Sequence, residues 1–89
     1  MDVNLKFLAL AKDLAGTGDA TIRITAEESP FTVGSFLAKL IRTFPRLGEI
    51  KDQLILAHNL EYLDLQNPSA SFELKEGDEI AVLPPVSGG

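Results

Sequence analysis

The sequence predicts an α+β roll, in which a hairpin, one main crossing helix and a returning mixed sheet enclose a small core. Three observations predict this class. Two segments near the N-terminus alternate apolar and polar residues with period two, as half-buried strands do. One stretch, residues 33–44, has apolar residues at helical spacing. Two later apolar runs, residues 54–57 and 80–83, have the length of strands.

Length and composition exclude several classes of protein. The 89 residues suit a single domain, and 45% of them are hydrophobic, which is enough to build a core. The absence of cysteine excludes a disulfide framework, a thiolate metal site and a cysteine nucleophile. A net charge of −5 argues against a nucleic-acid binder. The first residues lack a signal peptide and no run is long enough to span a membrane, so we expect a soluble, cytoplasmic protein with no membrane partner.

The first two predicted strands are residues 3–11 and 20–25. In the first strand, alternation directs Val3, Leu5 and Phe7 inward and Leu8 and Leu10 outward. Residues 12–19 connect the strands and have room for a short helical turn. Together the two strands predict a hairpin with a long loop.

The central helix has clear start and stop signals. Thr32 is the expected N-cap, and Pro45 ends the helix at about Phe44. The helix is followed by a short turn or helical segment at residues 46–50 and a strand at 54–57. Residues 58–62 are expected to form a turn that leads to another short strand or edge, followed by a short strand at 72–74 and the last strand at 80–83. Gly77 lies in a polar turn and is free to take positive φ. The only histidine, His58, cannot form a histidine metal cluster, and we expect a structural or solvent-facing role.

The last strand is expected to lie beside the first, which would bring Leu8, Leu10 and Leu83 onto the outer face of the sheet. An exposed apolar cluster there is a candidate partner surface. The alternative, that a helix or loop of the same chain covers this face, stays open.

The sequence predicts a domain formed by residues 1–83 and an extended C-terminal tail formed by residues 84–89. Pro84 and Pro85 end the strand and favour an extended conformation. Gly88 and Gly89 permit another protein to close tightly around the backbone. A carboxylate is a poor electrophile, so a reactive tail would need activation by another enzyme, typically through adenylation with ATP. The alternative is a frayed end.

These residues resemble a known family, the small subunits of molybdopterin synthase, which are MoaD-like sulfur carriers with a ubiquitin fold. The resemblance covers nearly the whole chain. It rests on Lys6-Phe7-Leu8-Ala9, Thr32-Val33, Asn59-Leu60-Glu61-Tyr62 and, most specifically, the last thirteen residues, Gly77-Asp78-Glu79-Ile80-Ala81-Val82-Leu83-Pro84-Pro85-Val86-Ser87-Gly88-Gly89.

The resemblance implies a ubiquitin-like β-grasp roll and a sulfur-transfer cycle. An activating enzyme similar to ubiquitin-activating enzymes would consume ATP to adenylate the Gly89 carboxylate. A sulfur donor would then make the thiocarboxylate. The tail would enter the large catalytic subunit of a heterotetramer and give its sulfur to cyclic pyranopterin monophosphate, forming the molybdopterin dithiolene. The chain would bind no permanent cofactor and supply no catalytic side chain.

The resemblance also assigns roles to individual residues. Gly89 would carry the adenylate and then the sulfur, and Gly88 would be the slim residue in the narrow active site. Leu8, Tyr62 and Leu83 match the apolar docking positions, with Pro84 and Pro85 at the base of the tail. Asp78 and Glu79 match an acidic pair that would face basic residues of the activating enzyme; a merely solvated acidic turn is the alternative.

Three other functions stay open: a sulfur carrier for tRNA or thiamine thiazole, a ubiquitin-like protein modifier, and a non-covalent ubiquitin-like binding module. The Pro84-Pro85 ending argues against the first, since those relatives usually lack it.

Overall fold

The computed structural model describes residues 1–28 and 31–84 of the chain. It contains a five-stranded sheet, a two-stranded sheet and two α-helices. The elements are β1 (Asp2–Phe7), α1 (Leu10–Ala15), β2 (Asp19–Arg23), a 3-10 helix (Ala26–Glu28), β3 (Phe31–Thr32), α2 (Val33–Thr43), a second 3-10 helix (Pro45–Ile50), β4 (Ile55–His58), β5 (Glu61–Tyr62), β6 (Ser71–Phe72) and β7 (Glu79–Leu83). Within these ranges, no helix combines the length and the hydropathy needed to cross a membrane.

The first and last strands lie side by side in the middle of the main sheet. The strand order is β2-β1-β7-β4-β5. The β1–β7 pair is parallel and every other pair in this sheet is antiparallel. Leu5 lies opposite Ile80 and Phe7 opposite Val82. The predicted hairpin and the predicted contact between first and last strands are therefore confirmed.

Helix α2 packs on the inner face of the sheet. Its first turn is held by a capping box, in which Ser35 N donates to Thr32 Oγ1 at 3.1 Å and Thr32 N donates to Ser35 Oγ at 3.0 Å. The core under the helix is entirely apolar. Its largest fully buried side chains are Phe7, Phe36, Leu5, Ile24, Leu40, Leu47, Leu56, Ile80, Val3 and Val82.

The predicted first strand was too long. β1 ends at Phe7, Ala9 takes a φ of 52°, and Leu10 begins α1. The physical reason is helical spacing that competes with the strand pattern, because Ala11 and Leu14, three residues apart, are both buried. Leu10 therefore does not lie on the sheet. Leu8 still does, since its backbone N–H donates to the Val82 carbonyl at 3.1 Å.

The two-stranded sheet was not predicted. β3 pairs with β6, and the pairing continues into the start of α2, where Gly34 N donates to the Pro68 carbonyl at 2.8 Å. Strands of two residues are too short to show a periodicity. The strand expected at residues 54–57 is shifted by one position, with Leu54 buried just before it.

Candidate functional site

The outer face of the main sheet carries an open groove of about 380 Å³. We call it the docking groove. It lies over β1, β7, β4 and β5, on the face opposite α2, and Leu60 of the turn between β4 and β5 also lines it. Its lining residues are Lys6, Leu8, Ala57, Leu60, Tyr62, Glu79, Ala81 and Leu83.

Two alanines form the floor of the docking groove. Ala57 of β4 and Ala81 of β7 lie directly opposite each other in the sheet. On either side, Lys6 of β1 lies opposite Ala81, and Tyr62 of β5 lies opposite Ala57. Side chains directly opposite on one face of a sheet are close neighbours. Small side chains between two long ones therefore leave a depression across the sheet.

The rim of the groove is mainly apolar and open to solvent. Leu8 is 47% exposed, Tyr62 75% and Leu60 93%. Leu83, the last residue of β7, is half-buried, and Pro84 follows it. Isolated exposed apolar residues need no explanation, but a contiguous set rimmed by Lys6 and Glu79 is typical of a protein-binding surface.

A tight turn joins β4 to β5. Its two central residues both have positive φ, 49° at Asn59 and 75° at Leu60, as in the type I′ turn of two-residue hairpins. Asn59 fastens this turn to β7, because Asn59 N donates to the Glu79 carbonyl and Glu79 N donates to Asn59 Oδ1, both at 2.9 Å.

Asp78 lies in a hydrogen-bonded network next to this turn. Its carboxylate is 2.7 Å from His58 Nε2 and accepts from Asn59 Nδ2 at 3.0 Å and Lys75 N at 2.9 Å. The hydrogen bonds from His58, Asn59 and the Lys75 backbone lower the pKa of Asp78 to about 2. The His58 ring also packs edge-on against Phe72, with centroids 5.6 Å apart.

The structure brings together some of the predicted site residues and separates others. Leu8, Tyr62, Leu83 and Glu79 all line the docking groove. Asp78, the other half of the predicted acidic pair, has a side chain that is only 14% exposed and is directed to His58. Pro84 follows β7 directly, whereas Pro85, Gly88 and Gly89 lie outside the described residues.

Four groove residues were not among the predicted site residues: Lys6, Ala57, Leu60 and Ala81. Period-two alternation in the last strand does put Ala81 on the same face as Leu83. Nothing in the sequence pairs Ala57 with Ala81, since that depends on strand register. The sequence does contain a signal for Leu60. A large apolar residue follows Asn59 in a turn, at a position where glycine is the usual residue.

The described ranges contain no group of three or more histidine, aspartate or glutamate side chains arranged to hold a metal ion. The chemistry that the groove supports is recognition. It offers apolar area, one ammonium and one carboxylate beside the strand that leads to the tail.

The model of the family described as the ThiS family matches residues 5–89 of this chain. The chain belongs to the ThiS family. Among curated members, it is 40% identical over 89 residues to the molybdopterin synthase sulfur carrier subunit of Drosophila melanogaster, covering 100% of this chain and 92% of that protein. It is 32% identical to the protein of that name from Chlamydomonas reinhardtii, covering 100% of both.

Solved structures show that this ThiS-family chain has the ubiquitin-like β-grasp fold. SAMP1 from Haloferax volcanii superimposes with a TM-score of 0.73 at 25% identity, covering 100% of both chains. A chain from the complex of subunits 1 and 2 of the molybdopterin-converting factor of Helicobacter pylori has a TM-score of 0.63 at 25% identity, again covering 100% of both chains. The predicted fold class is confirmed.

Proposed function

We propose that this chain is the sulfur carrier subunit of molybdopterin synthase. In this role Gly89 is adenylated, converted to a thiocarboxylate and delivered to the large subunit, where its sulfur goes to cyclic pyranopterin monophosphate. The single observation that carries the proposal is 40% identity over the whole chain to a protein of that name.

Activation of Gly89 requires an enzyme that this chain does not supply. The Gly89 carboxylate attacks the α-phosphate of ATP and pyrophosphate leaves, which gives a mixed anhydride with AMP as a good leaving group. A sulfide-level nucleophile from the donor then attacks the carbonyl carbon, so that the C–S bond of the thiocarboxylate forms as the C–O bond to AMP breaks and AMP leaves. ATP is thus a substrate of the activating enzyme, and a sequence without bulky side chains at Gly88 and Gly89 suits a narrow active site.

The docking groove supports the same proposal from the geometric side. Its rim residue Leu83 ends β7, and Pro84 begins the segment that leads to Gly88 and Gly89. A partner seated on Leu8, Tyr62 and Leu83 therefore holds the domain at the base of the tail. We assign this surface to the large subunit, in line with the complex of two subunits known for the related Helicobacter pylori protein.

Intact mass spectrometry of the protein from its own cells, under conditions that preserve thioacids, tests the sulfur-carrier chemistry. We expect a species in which one oxygen is replaced by sulfur, localised to Gly89. A carboxylate that stays unmodified after addition of the activating enzyme, ATP and a sulfur donor would contradict the proposal. A second test uses a variant that lacks Gly88 and Gly89. This deletion should abolish synthase activity with the large subunit and leave the melting temperature of the domain unchanged.

Protein modification is the second candidate function. It is favoured by the likeness to the small archaeal modifier protein 1 of Methanosarcina acetivorans, at 27% identity and a TM-score of 0.65. In this function Gly89 would form isopeptide bonds with lysines of other proteins. It predicts higher-mass adducts in cells that disappear when Gly89 is deleted, whereas a dedicated sulfur carrier gives none.

A further inference from the structure

Leu60 has a backbone conformation that leucine rarely adopts. Its φ is 75°, at the second central position of the turn between β4 and β5. There a Cβ crowds the backbone, and glycine is the preferred residue because it has none. Asn59 beside it fits well, since asparagine tolerates positive φ. Leucine at position 60 therefore lowers the stability of the free chain.

The Leu60 side chain gains little packing in return. It is 93% exposed, more than Leu8, Leu10, Tyr62 or Met1, the other exposed large apolar residues in the described part of the chain. It also lines the docking groove, together with Tyr62 and Leu83. A strained, exposed leucine that lines an apolar groove has a physical reason to be there when a partner buries it.

The turn holds Leu60 at a fixed position relative to β7. Asn59 is bonded to Glu79 on β7 through both its backbone N–H and its side-chain oxygen. Its side-chain nitrogen donates to Asp78, which is in turn 2.7 Å from His58. Because these contacts are made in the free chain, little backbone conformational entropy remains to be lost at the turn when a partner binds.

We infer that Leu60 is a partner-contact residue, which inserts into an apolar depression on the large subunit of the synthase. The inference rests on the proposed function and adds one residue to its docking surface. The partner is the large subunit because Leu60 lines the same groove as Leu83, the last residue of β7. It assigns to that subunit an apolar site facing the β4–β5 turn.

Leu60→Gly separates the inference from a purely structural role, because the two readouts should move in opposite directions. Glycine relieves the strain at positive φ, so the melting temperature should rise by about 2–6 °C. Removing the side chain should weaken binding to the purified large subunit of the source organism by about tenfold or more. Calorimetric titration and thermal melts measure the two effects.

Two further variants serve as controls. Leu60→Ala removes most of the side chain but keeps a Cβ at positive φ, so it should weaken binding as Leu60→Gly does without the gain in melting temperature. Glu61→Gln changes the next residue of the same turn, which does not line the groove, and should leave affinity within about twofold.

The outcomes separate the inference from the proposed function. If the wild-type chain binds the large subunit and both Leu60 variants bind equally well, the inference is overturned and the proposed function stands. If the wild-type chain does not bind it, both fall. Weakened binding by both variants, with Glu61→Gln unchanged, establishes Leu60 as a contact.

Discussion

The carboxylate of Asp78 contacts three nitrogen atoms, on the His58 ring, the Asn59 amide and the Lys75 backbone. A carboxylate ionised above about pH 2 can only accept hydrogen bonds, so His58 Nε2 carries the proton in this contact. The network joins β4, the turn after it and the segment before β7. Asp78 thus stabilises the turn that presents Leu60.

The depressed pKa of Asp78 predicts how stability depends on pH. Its folded pKa of about 2 lies below the ordinary value of 3.8, so its contribution is fully present above about pH 4 and is lost as pH falls through 2. Asp78→Asn should therefore lower the free energy of unfolding at pH 7 by about 1–3 kcal/mol. It should also flatten the pH dependence between pH 4 and 2. Urea unfolding at several pH values measures both.

Glu28 provides the comparison for that experiment. Its pKa is lowered from 4.5 to about 2, chiefly by the hydrogen bond from Lys39 at 2.6 Å. The Asp78→Asn variant keeps this carboxylate, so some pH dependence should remain. Identical slopes for the wild type and Asp78→Asn would show that the Asp78 network does not stabilise the folded state.

At the scale of single residues, the sequence indicated which residues belong to the site but not what surrounds them in the fold. Asp78 and Glu79 were expected to face the activating enzyme as a pair; in the structure Glu79 lines the docking groove and the Asp78 side chain is directed to His58. The alternation of side chains along a strand separates neighbours. Which acid meets His58 depends on the register between β4 and β7, where His58 lies opposite Ile80, and one sequence does not contain that register.

The first turn of α2 packs closely against the 67–69 turn. A Cβ added at Gly34 would lie 3.0 Å from Pro68 Cβ and 3.1 Å from the Pro68 carbonyl oxygen. That oxygen accepts from Gly34 N at 2.8 Å, so it has little freedom to move away. Gly34 therefore allows the helix and the two-stranded sheet to meet.

Gly34→Ala should destabilise the protein although alanine is the better helix former. The crowding costs about 1–3 kcal/mol and the gain in helix propensity is about 1 kcal/mol, so we expect a net loss of about 1 kcal/mol in the free energy of unfolding. Chemical unfolding measures it.

Gly48→Ala is the matched control, because a Cβ there would meet only Ile41 Cγ2, at an ordinary 3.7 Å. Its free energy of unfolding should stay within about 0.5 kcal/mol of the wild type. Equal stabilities of the two variants would contradict the close approach at Pro68.

Long, strongly periodic elements were predicted more fully than short ones, although short strands were expected near residues 58–62 and 72–74, where β5 and β6 lie. The 3.6-residue period and the Thr32 cap located α2, and alternation located β7. Helix α1 was expected only as a short helical turn within residues 12–19, because Leu8 and Leu10 extend the strand pattern, while the helix is specified by buried Ala11 and Leu14. β3 and β6 pair through backbone hydrogen bonds, and two residues are too few to show a sequence pattern that predicts such a pairing.

On the scale of the whole molecule, one helix covers one face of the sheet and leaves the other face open at the docking groove. The expectation that Leu8 and Leu83 share this open face is confirmed, and Leu10 is the exception. The position of the groove could be predicted from strand parity. Its depth could not, because the depth depends on two alanines from distant segments lying opposite each other.

Leu8→Asp tests the open face as a docking surface. Leu8 is 47% exposed, so the change should cost little folding stability. A desolvated, unpaired carboxylate at the centre of an apolar contact should weaken binding to the large subunit by at least about tenfold. Binding is measured by calorimetric titration and the fold by circular dichroism.

Thr21→Asp is the control, since Thr21 is exposed on β2 of the same sheet and does not line the docking groove. It adds the same charge to a chain of net charge −5. Equal losses for the two variants would point to general charge repulsion instead of contact at Leu8.

The position of β7 between β1 and β4 has a mechanical consequence. Because β1 and β7 run parallel, the chain enters the sheet at one end of this pair and continues to Pro84 at the other. Tension between the two ends of the chain would load the hydrogen bonds of the pair in shear, so that they share the force instead of opening one after another.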